Sequence, residues 1–144
     1  FLLKIKVRYP SFEEEEKIVD IYTNKIPEIK INPIFTRFKI DEYQDYTRDV
    51  PIANDLKRKI LKLINVTRSE KDLFEYGASP RASIGLVLAS KARALIEGRN
   101  YVSKNDIEKL VYPVLRHRII LNFEAQRKGL SRDEAIRKIF TKIF

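Results

Sequence analysis

The sequence contains no cysteine, methionine or tryptophan, and it has a single histidine. Without cysteine there is no disulfide, no thiolate-bound zinc and no cysteine nucleophile. One histidine, His117, cannot supply a histidine metal cluster, and a Ser–His–Asp triad would have to rest on it alone. It stands in the triplet Arg116-His117-Arg118 and reads as a helix-end residue, where cations are favoured. With only 4 glycines in 144 residues, glycine-rich linkers and collagen-like repeats are excluded. No apolar run approaches the roughly 18 residues of a membrane span. There is no G-x-x-x-x-G-K-[ST] loop to cradle a phosphate, and no acidic pair follows a strand to hold magnesium. The absence of methionine and the start at Phe1 lead us to expect a fragment of a longer protein. The lack of cysteine suits a cytoplasmic location.

What is present is a globular composition, 44% hydrophobic and 34% charged, sufficient for one domain with a core of its own. The net charge of +9 is unevenly spread. Residues 1–72 carry 15 Lys+Arg against 13 Asp+Glu, and residues 73–144 carry 14 against 7. A basic half points to an anionic partner or to a solvated cationic surface. One reading is a basic helical module that binds nucleic acid, through Lys57, Arg58, Lys59 and Lys62 or through Arg116–Arg118. Against it, no basic stripe alternates with exposed aromatics and no recognition helix is evident.

Leu3, Ile5 and Val7 alternate with Lys4, Lys6 and Arg8, the period of a half-buried strand. Tyr9-Pro10 ends it, and no partner strand is legible elsewhere. Ser11 to Glu14 forms a capping box, and Phe12, Val19, Tyr22 and Ile26 follow at helical spacing. Pro27, Pro33 and Pro51 break the next stretch, in which Asp41 to Arg48 suits a short helix. A clear helix begins at Asn54 or Asp55, with Leu56, Ile60, Leu63 and Ile64 on one face.

Gly77-Ala78-Ser79 reads as a turn, with Ser79 as N-cap and Pro80 as first helical residue. That helix runs to about Glu97 with a stripe of Ile84, Val87, Leu88, Ala92 and Leu95, and Gly98 stands at its C-cap. Ser103 and Asp106 open another helix, carrying Ile107, Leu110, Val111, Val114 and Leu115, which Pro113 should kink or interrupt. Residues 119–121 suit an extended stretch. Ser131 to Glu134 is a third capping box, before Ile136, Ile139, Phe140 and Ile143. The expected fold class is mainly all-α, a bundle of about five helices preceded by one orphan β-strand. Residues 1–10 are expected to hold the strand and its stop, and residues 11–144 the helical domain.

Arg81 is the residue whose position calls for a ligand. A helix N-terminus already bears about half a positive charge, and the first turn after Ser79 has no acid to offset a guanidinium. Free N–H groups, the dipole and Arg81 converge as a phosphate or carboxylate would require. The alternative is that Arg81 turns to solvent or pairs with a distant acid.

Three ordered motifs carry a resemblance: Gly77-Ala78-Ser79-Pro80-Arg81-Ala82, Gly98-Arg99-Asn100-Tyr101-Val102, and Pro113-Val114-Leu115-Arg116-His117-Arg118. They resemble the C-terminal lid of MoxR-type AAA+ ATPases. Phe1 to Val7 and Tyr9-Pro10-Ser11 are similar to that family's last core strand and hinge, and the ending Lys128 to Glu134 agrees in style. Residues 24–50 depart from the pattern.

The resemblance implies an AAA+ lid-type bundle that closes over ATP and magnesium held by a core domain of the same protein. Arg81 would be the sensor 2 arginine at the γ-phosphate, and Tyr9, Pro10, Ser79 and Pro80 would line the nucleotide site. No metal ligand falls in this chain, and the family's arginine finger would sit just before Phe1. The resemblance also implies a homo-oligomeric ring, expected to be a hexamer, that remodels or matures partners, von Willebrand factor A-type proteins among them. By itself the chain is expected to be no enzyme and to hold no cofactor.

Overall fold

The computed structural model describes residues 1–24 and 30–144, which places Ile26 and Pro27 outside the described residues. Of the described residues 63% are helical, and they form seven helices and one small sheet. The elements are α1 (Phe12–Thr23), α2 (Arg37–Asp49), α3 (Asn54–Ser69), β1 (Phe74–Tyr76), α4 (Pro80–Ile96), α5 (Lys104–Leu115), β2 (Ile120–Leu121), α6 (Phe123–Arg127) and α7 (Arg132–Ile143).

α4 is the hub, packing on α2, α3 and α5, while α7 closes the far side against α3 and α5. The core is built from Ile60, Leu63, Ile64, Phe74, Leu86, Ile107, Val111, Leu115, Ile136 and Ile139, all essentially inaccessible. Within α4 the buried residues are Ala82, Gly85, Leu86, Ala89, Ser90 and Ala94, whereas Ile84 is 60% exposed. The stripe expected from Ile84, Val87, Leu88, Ala92 and Leu95 is therefore displaced. α4 is apolar almost all round, so its periodicity does not single out a face. The small residues lie where neighbouring backbones approach closely, and the branched ones fill the margins.

Several boundaries follow local chemistry. Capping boxes close at Ser11–Glu14 and Ser131–Glu134 with both reciprocal hydrogen bonds formed, while at Ser103–Asp106 the carboxylate takes the Ser103 amide and hydroxyl and the Asp106 amide donates to the Ser103 carbonyl at 3.2 Å. Gly98 takes φ +70°, and the Gly98 and Arg99 amides donate to the Leu95 and Ala94 carbonyls at 3.0 and 2.8 Å. This is a Schellman closure, which needs the left-handed region that glycine enters without penalty. α2 is longer than expected because Thr36 caps it, accepting from the Lys39 amide.

α5 runs through Pro113 to Leu115 rather than stopping there. So near the helix end, proline forgoes a single bond to the carbonyl of exposed Lys109. α6 and the pairing of β1 with β2 were not legible. The strands are antiparallel with Phe74 opposite Leu121 and an irregular register, and elements this short carry almost no periodic signal.

The strand expected from Leu3, Ile5 and Val7 is not formed: among the described residues the first ten pair with no strand and have no regular secondary structure, since a ladder needs a neighbour. α1 forms as its capping box requires, but Phe12, Val19 and Tyr22 are 79%, 52% and 69% exposed and add nothing to this core.

One buried acid ties the α4–α5 connection together. Asp106 has a fully covered side chain. Arg99 grips it with a fork, Nη1 to Oδ2 at 2.8 Å and Nη2 to Oδ1 at 2.5 Å. The Ser103 amide and hydroxyl each donate to Oδ2 at 2.8 Å, and Arg93 stands 3.5 Å from Oδ1. Burial pushes this carboxyl up, but the Arg99 fork and the Ser103 donors outweigh burial and bring it down from 3.8 to about 2.

Because the folded value lies below the unfolded one, the stabilisation is complete above about pH 4 and is lost as pH falls towards 2. We predict that wild type loses about 2 kcal/mol from this group between neutrality and pH 2. Asp106→Asn should be less stable at pH 7 and show a flatter acid limb in urea titrations. An unchanged acid limb in the variant would show that Asp106 does not carry the effect.

Candidate functional site

The segment leading into α4 is pinned to the end of α3. Ala78 is buried; its amide donates to Thr67 Oγ1 at 3.0 Å, and Thr67 Oγ1 donates in turn to the Ile64 carbonyl at 2.6 Å. Arg68 Nε donates to the Ala78 carbonyl at 2.7 Å. Gly77 crosses α3 so closely that a Cβ there would stand 2.4 Å from the Thr67 carbonyl oxygen. No side chain fits, and glycine is required by space rather than by dihedral angle. These three contacts fix where the α4 helix begins.

Ser79 is the N-cap as expected, in an extended conformation, but its hydroxyl caps no helix amide. Pro80 follows at the first helical position, and the Ala82 amide is taken by the Ser79 carbonyl at 2.9 Å. The first turn has no acid. Arg81 is exposed. The other α4 cations are engaged: Lys91 Nζ donates to the Arg48 carbonyl at 2.6 Å, and Arg93 pairs with Glu97 at 2.9 Å. Arg81 alone among them forms no hydrogen bond or ion pair with the described residues.

An uncommitted hydroxyl, a positive helix end and a free guanidinium fork, with no competing carboxylate, suit an anion such as a phosphate. Tyr9 and Pro10 are exposed and make no hydrogen bond to this helix start among the described residues. The described residues contain no group of three or more potential metal ligands.

The family profile of the AAA lid domain matches residues 67–139, from the threonine that pins Ala78 to the last buried turn of α7. The chain belongs to the AAA lid domain family. Across 99% of its length the lid is 30% identical to the chaperone MoxR1 of Mycobacterium tuberculosis, covering 40% of that protein. It is also 30% identical to the uncharacterized protein YeaC of Bacillus subtilis, covering 44% of it. A candidate ATPase from Cytophaga hutchinsonii, solved by crystallography, superposes on the whole lid with a TM-score of 0.88 at 32% identity, over 46% of its own length. The lid thus spans less than half the length of the relatives it matches.

Sequence reading found Ser79, Pro80 and Arg81 but missed Thr67 and Arg68, ten or so residues upstream on another helix. A buried threonine at a helix end has no signature of its own, and only the crossing at Gly77 reveals its task. Thr67→Val should leave the Ala78 amide buried without an acceptor and cost about 1–3 kcal/mol. Gly77→Ala should cost at least as much, because the obstructing atoms are backbone. Chemical denaturation of both variants tests this, and wild-type midpoints would show that the seam does not hold the helix start.

Proposed function

We propose that the lid closes over ATP bound by a core domain of the same protein and that Arg81 meets the γ-phosphate. The observation that carries this reading is Arg81 itself, unpartnered at an acid-free helix start whose position is pinned to α3. ATP would supply the transferred phosphoryl group. Ser79, Pro80 and the first turn of α4 would shape the wall beside it, and Tyr9-Pro10 would lie near the adenine. A guanidinium there stabilises charge that grows on the phosphate oxygens during transfer.

The lid alone lacks the phosphate loop and magnesium acid, so on this reading it does not hydrolyse ATP. Residues 1–10 act as the hinge between core and lid, and residues 11–144 as the moving body. The similarity to a chaperone supports a remodelling role, and family analogy extends it to a hexameric ring in the cytoplasm that acts on partners such as von Willebrand factor A-type proteins. The nucleic-acid reading loses ground, because Arg116 and Arg118 are occupied within the domain.

In the full-length protein, Arg81→Ala should lower ATP turnover about 10- to 100-fold, the worth of one charge-assisted contact, with little change in melting temperature. Arg81→Lys should recover part of it, because an ammonium lacks the fork. Arg99→Ala strips the buried Asp106 of its principal partner and should cost about 3 kcal/mol of stability while turnover per folded molecule stays near wild type. The reverse pattern, turnover lost at Arg99 and kept at Arg81, would overturn the assignment.

A further inference from the structure

The Arg116-His117-Arg118 triplet, which sequence alone offers as a surface for nucleic acid, is turned inward onto the first residues of the chain. Arg118 Nη2 donates to the Phe1 carbonyl at 2.8 Å, and His117 Nε2 lies 3.1 Å from the same oxygen. Arg116 Nη1 donates to the Lys4 carbonyl at 3.1 Å, while its Nε holds Asp133 at 2.7 Å. Asp133 also binds Lys6 at 2.7 Å, so one acid bridges the triplet and the N-terminal segment. The Lys4 amide donates to the Pro113 carbonyl at 2.8 Å. That carbonyl lies in the last turn of α5, where the helix has no amide of its own left to offer it.

The same contacts reach α4. A Cβ on Gly85 would stand 2.9 Å from Leu2 Cδ1 and 3.3 Å from Arg118 Nη1. Arg118 Nη1 is buried there without a hydrogen-bond partner. Gly85 lies four residues after Arg81, hence on the same face one turn along. Leu2 and Arg118 therefore rest on the stripe of α4 that begins with Arg81.

We propose that Arg118, supported by Arg116 and His117, is a positioning residue: it clamps the Phe1–Lys6 segment to α4 and α5, so that displacement of this segment is transmitted to Arg81. The proposal rests on the assignment of Arg81 to nucleotide given above. The clamp has the chemistry of its task. Its acceptors are backbone carbonyls, so it fixes the path of the chain whatever the side chains of residues 1–4, and the rigid guanidinium of Arg118 can touch Phe1 and Gly85 together. The absence of a Cβ at Gly85 lets the segment lie close enough for rigid transmission.

The test uses the full-length protein, with hydrogen exchange of the peptide spanning residues 1–7 and steady-state ATPase kinetics. Arg118→Ala should speed exchange of the Lys4 amide about tenfold or more and lower kcat about tenfold, with KM for ATP little changed. Arg118→Lys keeps the charge and stem but not the fork, and should fall between Ala and wild type in both measurements. Arg81→Ala should lower kcat and leave exchange of residues 1–7 at the wild-type rate. If Arg118→Ala and Arg118→Lys both exchange as wild type does, the clamp is wrong. Faster exchange with unchanged kcat overturns the positioning role. Wild-type turnover in Arg81→Ala overturns the nucleotide assignment, while exchange in the Arg118 variants still decides the clamp, so the two ideas fail separately.

Discussion

The close crossing of Gly77 over the end of α3 is the constraint on which the rest of the domain depends. Backbone meets backbone there, with no space for a single carbon. The contact is held from both sides by Thr67 and Arg68, which bind the amide and the carbonyl of Ala78. Once that residue is fixed, the origin of α4 is fixed, and α4 is the helix that α2, α3 and α5 all touch. Its alanines and Gly85 let those neighbours come close, so a shift at its start would propagate through a core with little free volume. The same constraint holds the Arg81 backbone still, while its side chain is left free at the surface.

The charge of the domain is better understood by occupation than by count. Two partly or fully covered acids gather several cations: Asp106 takes Arg99 with Arg93 nearby, and Asp133 takes Arg116 and Lys6. Both carboxyls are burdened by burial, yet their partners hold them below the usual carboxylate range. A buried acid of this kind is costly to leave unpaired, which makes its arginines structural. Arg81 has no acid assigned to it, and it stands where helix geometry disfavours a cation unless an anion is near. An excess of +9 is therefore not one basic face: part of it is tied to acids inside the domain, while Arg81 is left without a partner among the described residues.

Much of the fold was legible. The capping boxes at Ser11, Ser103 and Ser131, the Pro80 start and the Gly98 stop are local events within four or five residues, and all formed where the chain chemistry placed them. The apolar faces of α3, α5 and α7 were equally readable, because each has one wet side. The α4 stripe was misread because a helix surrounded by others has no wet side to define a period. The extended stretch at residues 119–121 became β2, but α6 and β1 were missed because their few residues are chosen by packing and by Asn122, which caps α6 and also bonds the Lys71 carbonyl.

The candidate site divides in the same way. Residue order alone determined that a proline-led helix with an acid-free first turn begins at Ser79 and carries an arginine, because capping and dipole effects act within one turn. Which of the arginines near this site are engaged was decided only in three dimensions. Arg81, Arg93, Arg99, Arg116 and Arg118 are chemically alike in sequence, and their partners lie up to 117 positions away. Their fates depend on which carboxylates and carbonyls the packed helices bring within about 3 Å, a distance at which charge-assisted bonds form and which no local pattern encodes.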